Sequence, residues 1–290
     1  MVRAATLLSF VLAGVASAGL AATALRSGGA DAWERWQSGR PLRVGYAIEP
    51  PFAFVRPDGE VSGEAPSVLG RALAALGGGP VDWVQADFGR LLDELAVGRI
   101  DIIAAGLFIT PERAERVRFS RPTAQLRPGL LVRAGAPLGV ATLADVVRHP
   151  EARLAVIEGS VEAAEAAALG MPTARLQMFP DAQSAATAVR QGLADVLVLS
   201  AVSLRVIATQ DPEGALRVVA EAGEAEGALV GRSAFAFRPG DEALADAVDG
   251  ALADLLGTPE HLALVAPFGF TAAEVEPVAA AAGQRGEGRP

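Results

Sequence analysis

The chain contains no cysteine. That absence excludes disulfide staples, thiolate metal sites, cysteine nucleophiles and anchoring through a lipidated N-terminal cysteine. Histidine is nearly as scarce. His149 and His261 lie far apart, and neither is followed three or four residues later by a second metal-binding side chain, so the His-to-ligand step of a helical zinc pair is missing. Basic charge is in deficit: 25 Lys and Arg stand against 34 Asp and Glu, a net charge of −9. No cationic stripe is left for a nucleic-acid backbone. There is no Gly-x-Ser-x-Gly elbow and no phosphate-binding loop, which removes the usual apparatus of nucleophilic hydrolysis and phosphoryl transfer. No cofactor and no metal is implied.

What is present is apolar and well punctuated. Of 290 residues 51% are hydrophobic, enough for one large domain or two modest ones with real cores. At the N-terminus Met1-Val2-Arg3 carries one positive charge, and Ala4 to Leu25 is uncharged. The triplets Ala16-Ser17-Ala18 and Ala22-Thr23-Ala24 follow its most apolar part. This is the pattern of a cleavable signal peptide over residues 1–24. A retained anchor is the alternative, since the run is long enough to span a bilayer; the cleavage-like triplets favour removal. The expected product is periplasmic and is not a lipoprotein.

Beyond the leader, strand and helix patterns alternate. Leu42 to Ile48 reads as a strand stopped by Glu49-Pro50-Pro51, and a helix from Pro66 carries Val68, Leu69, Ala72, Leu73 and Leu76 on one face. Val81 to Val84 and Ile100 to Phe108 are further strands, separated by a helix around Leu91 to Leu95. A second series runs through Leu154–Ile157, Val161–Leu169, Leu176–Phe179, Ala182–Gln191 and Asp195–Leu199. Such alternation predicts an α/β fold with largely parallel sheets. Extended segments near 126–133 and 230–237 join the two series, which predicts two lobes on a two-strand hinge. Lobe one is expected over 41–129 and 234–275, lobe two over 130–233, and a disordered tail over 276–290. No internal sequence repeat is evident.

The segment Gly106 to Pro122 is the most specific. Its strand runs into Thr110-Pro111, an N-cap followed by a proline suited to the first helical position, and Arg113 falls in the first turn. A helix mouth offers free N–H groups, and a guanidinium there adds a two-pronged donor for a carboxylate. The plain alternative is that Arg113 pairs with Glu112 or Glu115.

These residues carry a resemblance. Leu42-Arg43-Val44-Gly45-Tyr46 with Glu49-Pro50-Pro51-Phe52, Asp101-Ile102-Ile103-Ala104-Ala105-Gly106, Thr110-Pro111-Glu112-Arg113 and Phe119-Ser120-Arg121-Pro122 resemble the polar-amino-acid-type solute-binding proteins of ABC importers. Gly159-Ser160, Gly192 to Val196 and Phe237 to Leu244 agree in order and spacing. The resemblance implies a two-lobed Venus-flytrap fold that closes on a small solute, with Arg113 holding the ligand carboxylate. It also implies an inner-membrane ABC permease as partner, a monomer and no catalysis.

Two departures bear on the ligand. Amino-acid binders of this family commonly have threonine or serine where Phe108 stands, and an aspartate for the α-amine where Ser200 stands. Here Glu49, Phe52, Phe88 and Phe108 fall at cleft positions of the family instead. Aromatic faces attract delocalised cations and a carboxylate accepts from their N–H groups. With Arg113 they are expected to hold a compact zwitterion while Gly159 and Ser160 close over it from lobe two. This combination resembles the ectoine/hydroxyectoine-binding branch. Other readings stay open: a polar amino acid as ligand, a cyclohexadienyl dehydratase on the same fold with Glu49 as general acid, Glu49 as a solvated turn residue, and Ser160 as a mere N-cap. Phe54, Phe119 and Phe235 are assigned to the core.

Overall fold

The computed structural model describes residues 31–135, 138–221 and 230–283. The expected signal peptide, residues 1–24, lies outside them. In chain order the first series is α1 (Ala32–Gln37), β1 (Leu42–Tyr46), β2 (Phe54–Val55), β3 (Val61–Ser62), α2 (Glu64–Ala75), β4 (Val81–Gln85), α3 (Leu91–Ala96), β5 (Ile102–Ile103), α4 (Pro111–Ala114), β6 (Arg118–Phe119) and β7 (Ala124–Leu126). Next come β8 (Pro128–Arg133), α5 (Leu143–Arg148), β9 (Leu154–Ile157), α6 (Val161–Ala168), β10 (Leu176–Phe179), α7 (Ala182–Arg190), β11 (Val196–Ser200), α8 (Ala201–Gln210) and β12 (Leu216–Glu221). The chain then returns through β13 (Gly231–Ser233), β14 (Ala236–Phe237), α9 (Glu242–Leu255), α10 (Pro259–Val265) and α11 (Ala272–Gly283).

Two five-stranded sheets result, ordered β4-β1-β5-β14-β6 and β10-β9-β11-β8-β12. In each, three strands are parallel and the fourth runs against its neighbours: β14 against β5 and β6, β8 against β11 and β12. The sheets are therefore mixed, because a strand arriving from the other lobe enters from the opposite end. Helices cover both faces, so β9 and β11 are buried along their whole length and read as near-continuous apolar runs. Between the sheets β7 pairs with β13, Leu126 opposite Gly231 and Ala124 opposite Ser233. These two short strands carry the chain from the first sheet to the second and back.

The structure differs from the sequence reading in four places. The strand predicted over Ile100 to Phe108 is regular only at Ile102–Ile103, because Gly106 turns the chain at φ +62° and frees the rest as loop. Asp31 to Arg40, polar with two tryptophans, reads in sequence as a short surface helix; in the structure it is half buried, since Ala32 and Trp36 enter the first core. The tail expected to be disordered from 276 is helical to Gly283, because Val275 and Val278 are buried on one side of α11; residues 284–290 lie outside the described residues. Finally, α2 begins at Glu64, two residues before the proline.

Candidate functional site

In a parallel sheet with helices on both faces, the loops after the strand C-termini converge at one edge. Both sheets turn that edge toward the same inter-lobe crevice. From the first sheet, the turn after β1 brings Glu49 and Phe52, the loop after β4 brings Phe88, and the loop after β5 brings Gly106, Phe108 and Arg113. From the second, the turn after β9 brings Ser160, Val161 and Glu162, while β11 ends in Leu199 and Ser200. In this arrangement the crevice is narrow, with a cavity volume of about 20 Å³, room for about one water molecule. Six of the seven residues singled out from the sequence line it. The seventh, Gly159, reaches it through its carbonyl.

Arg113 is held as the sequence leads one to expect. Thr110 caps α4, its Oγ1 accepting from the Arg113 N–H at 3.2 Å, and Pro111 occupies the first turn. The guanidinium is buried, donates to the carbonyl of Phe108 at 2.7 Å and crosses to the Gly159 carbonyl of lobe two at 2.9 Å. It forms no ion pair with Glu112 or Glu115 within the described residues. Its Cζ stands 5.8 Å from the Phe88 ring centroid, within cation–π range. Phe88 thus steadies the guanidinium besides lining the crevice. Burial lowers the Arg113 pKa, and the nearby Glu162 and Glu112 oppose that.

Glu49 is not a solvated turn residue. It is 9% exposed, and burial pushes its pKa up to about 8, with Glu162 adding to the rise and a hydrogen bond from Ser203 opposing it. That bond, 2.8 Å from Ser203 Oγ to Glu49 Oε1, joins the lobes. Ser200 Oγ in turn donates to Ser203 Oγ at 2.9 Å. Phe52 is both wall and core: it lines the crevice and meets Phe270 edge-on at 5.7 Å. Of the phenylalanines assigned to the core, Phe235 is fully buried while Phe54 and Phe119 are partly exposed.

Ser160 does cap α6, its Oγ accepting from the Ala163 N–H at 3.2 Å, and it also faces the crevice. Gly159 adopts φ +76°, and a Cβ on it would stand 2.8 Å from Gly89 Cα of lobe one. Only glycine lets the two backbones meet there.

Two residues at this site were not found by sequence reasoning. Glu162 is 4% exposed, and burial raises its pKa against hydrogen bonds from its own backbone and Ser160 and the attraction of Arg113. In sequence it is an ordinary acid in a helix first turn, where the dipole favours it. Ser203 is one more hydroxyl on a helix. Neither is distinguished until the lobes meet.

Two α/β lobes on two connecting strands, with the site between them, define the two-lobed periplasmic-binding-protein fold. The chain belongs to the bacterial extracellular solute-binding proteins, family 3, whose profile matches residues 42–269. The motif resemblance is thereby borne out at the level of the family, and the protein is an extracytoplasmic solute-binding protein. A relative from Sinorhizobium fredii, named "Probable amino-acid ABC transporter periplasmic-binding protein y4tE", is 30% identical over 233 residues, covering 79% of this chain and 77% of the relative. Among solved structures, EhuB in complex with hydroxyectoine superimposes with a TM-score of 0.78 at 33% identity, covering 88% of this chain and 96% of that one. The P235GK mutant of the arginine-binding protein from T. maritima follows at 0.71 and 25% identity, covering 82% and 98%.

Proposed function

We propose that the protein is the solute receptor of an ABC importer and that its ligand is a compact zwitterion of the ectoine or hydroxyectoine kind. One observation carries this reading. The crevice joins a single guanidinium, Arg113, to two buried carboxyls, Glu49 and Glu162, within walls formed by Phe52, Phe88 and Phe108. A carboxylate on the ligand answers the guanidinium. A delocalised amidinium ring answers the carboxyls with its N–H groups and the phenyl faces with its charge. The likeness to EhuB with hydroxyectoine supports the same chemistry.

Binding works through closure. Lobe one docks the solute on Arg113, Glu49 and the rings, and lobe two adds Ser160 and Glu162. A ligand that touches both lobes favours the closed form by its differential contacts. In this arrangement the bonds from Arg113 to Gly159 and from Ser203 to Glu49 span the lobes. The closed receptor hands its solute to a membrane permease. Export by the leader at 1–24, a periplasmic location without a lipid anchor and a monomeric state complete the proposal.

An amino acid such as arginine is the second reading. It is favoured by the acidic balance of the crevice, two carboxyls to one guanidinium, and by the arginine-binding neighbour. Calorimetry of the purified protein with ectoine, hydroxyectoine, L-arginine and L-glutamine decides between them. Tighter binding of hydroxyectoine or ectoine than of either amino acid is expected. The reverse order would replace the first reading with the second. Prephenate and arogenate are expected to survive incubation with the protein, and their conversion would overturn binding without turnover.

A further inference from the structure

Phe108 and the hinge share a backbone. The loop carrying Phe108 runs antiparallel to β13: Phe108 bridges Ser233, Ile109 N donates to Arg232 O at 2.9 Å, and Ala234 N donates to Leu107 O at 3.0 Å. In antiparallel pairing a side chain shares its face with the residue directly opposite and with the diagonal residue two positions away. For Phe108 that diagonal residue is Gly231, the first residue of the hinge strand β13. The phenyl ring lies in the volume that a side chain at 231 would take. A Cβ built there overlaps Phe108 Cε2 and Cδ2 and stands 2.8 Å from Cζ. Gly231 has no left-handed φ, so its backbone does not require glycine; the ring does. Gly106 seats the second wall in the same way, a Cβ on it standing 2.6 Å from Phe52 Cγ.

We propose that Gly231 is a positioning residue for the ligand crevice: by leaving room beside the hinge it lets the Phe108 ring stand back and opens the site to ring-shaped cations. A methyl group at 231 has one route of relief. Backbone on that side is fixed by the Leu126 pairing and the Ser233 bridge, so the ring end moves, and the crevice is the space that receives it. The inference rests on the ligand reading above for its choice of solute.

The test compares Gly231→Ala, Phe108→Leu and the double variant with the wild-type chain, using calorimetry with hydroxyectoine and L-arginine and a crystal structure of Gly231→Ala. Gly231→Ala is expected to weaken hydroxyectoine binding roughly 10–100-fold, the usual size of an overpacking effect. In the Phe108→Leu background the same change is expected to matter less than about threefold, because the shorter side chain vacates the overlap. An equal loss in both backgrounds overturns the proposal. So does a Gly231→Ala crystal in which the Phe108 ring keeps its place. If Gly231→Ala does not fold, the double variant is expected to fold, and its failure also counts against the proposal. If the wild-type protein binds neither probe, the ligand reading falls, while the ring position in the variant crystal still decides this one.

Discussion

The two lobes carry the same clamp at the ends of their sheets that face away from the ligand. In lobe one, Arg43 at the start of β1 donates through Nε and its backbone N–H to Asp101 Oδ2, through Nη2 to Oδ1 at 2.7 Å, and through Nη1 to the Gly98 carbonyl. In lobe two, Arg153 before β9 makes the same bonds to Asp195 and to the Gly192 carbonyl. Each aspartate precedes the third strand of its sheet. The lobes differ in what else reaches that aspartate. Asp101 is fully buried and takes Arg35 and Arg238 as well, whereas the Asp195 side chain is 15% exposed and takes only Arg133, at 3.4 Å. Burial alone would raise both pKa values; the arginine hydrogen bonds outweigh it and hold both below the usual carboxylate range.

The difference follows the path of the chain. The second sheet is built from one continuous stretch, so its clamp draws its arginines from that stretch alone. The first is built from two stretches, and Asp101 gathers an arginine from α1, one from β1 and one from the segment returning after β14. All 25 cations of this chain are arginine, with no lysine. Only a planar fork reaches both carboxylate oxygens and a carbonyl at once. Stability is anchored at the outer sheet edges and binding at the inner ones.

Replacing the anion tests this contrast most severely. Asp101→Asn removes a fully buried anion from three half-buried arginines and is expected to cost about 3–5 kcal/mol in urea denaturation, while Asp195→Asn costs about 1–2 kcal/mol. Equal losses would erase the distinction between the lobes. In the crevice, lobe one is expected to dominate affinity: Arg113→Ala should weaken the ligand by about 3 kcal/mol in calorimetry and Ser160→Ala by under about 1 kcal/mol. A larger effect from Ser160 would move the main anchor to lobe two. Phe108→Ala comes next, at roughly 1–3 kcal/mol of binding from lost burial and cation–π contact, and unchanged affinity would remove the ring from the site.

The smallest effect contrasts a site group with a core group through pH. Glu49 is raised to about 8 from 4.5 by burial, so between those values the folded closed protein binds more protons than the unfolded chain. Ligand-free stability must then fall as pH rises through that window, and Glu64, raised to about 7 by burial, adds the same sign. His261, fully buried in α10, is lowered to about 4 from 6.5 by burial. It acts oppositely, destabilising as pH falls from 6.5 toward 4. Glu49→Gln is expected to flatten the decline between pH 6.5 and 8 in melting curves. A variant with the same slope as the wild type would show that Glu49 is ionised in the closed protein.

Much of this was legible before the fold. Thr110, Pro111 and Arg113 spell a cap, a first-turn proline and a guanidinium within four residues, and local rules of that kind survive folding. The same holds for Ser160 at the start of α6 and for the apolar strands of both sheets. The helix at 272–283 was misread because a run rich in alanine and glycine looks unstructured until Val275 and Val278 find a core. The paired clamps were missed because each joins residues more than forty positions apart through side-chain geometry, leaving the surrounding sequence free to diverge.

The sequence alone determined the alternation of strands and helices, the motifs of the family, and the Thr110–Pro111–Arg113 corner, since each is written in short-range spacing. The tertiary structure decided that Glu162 and Ser203 meet Glu49, and that Gly231 lies beside Phe108. Those encounters lie between segments far apart in the chain, brought together by two lobes and a hinge, and burial there changes what a carboxyl or a missing methyl group does.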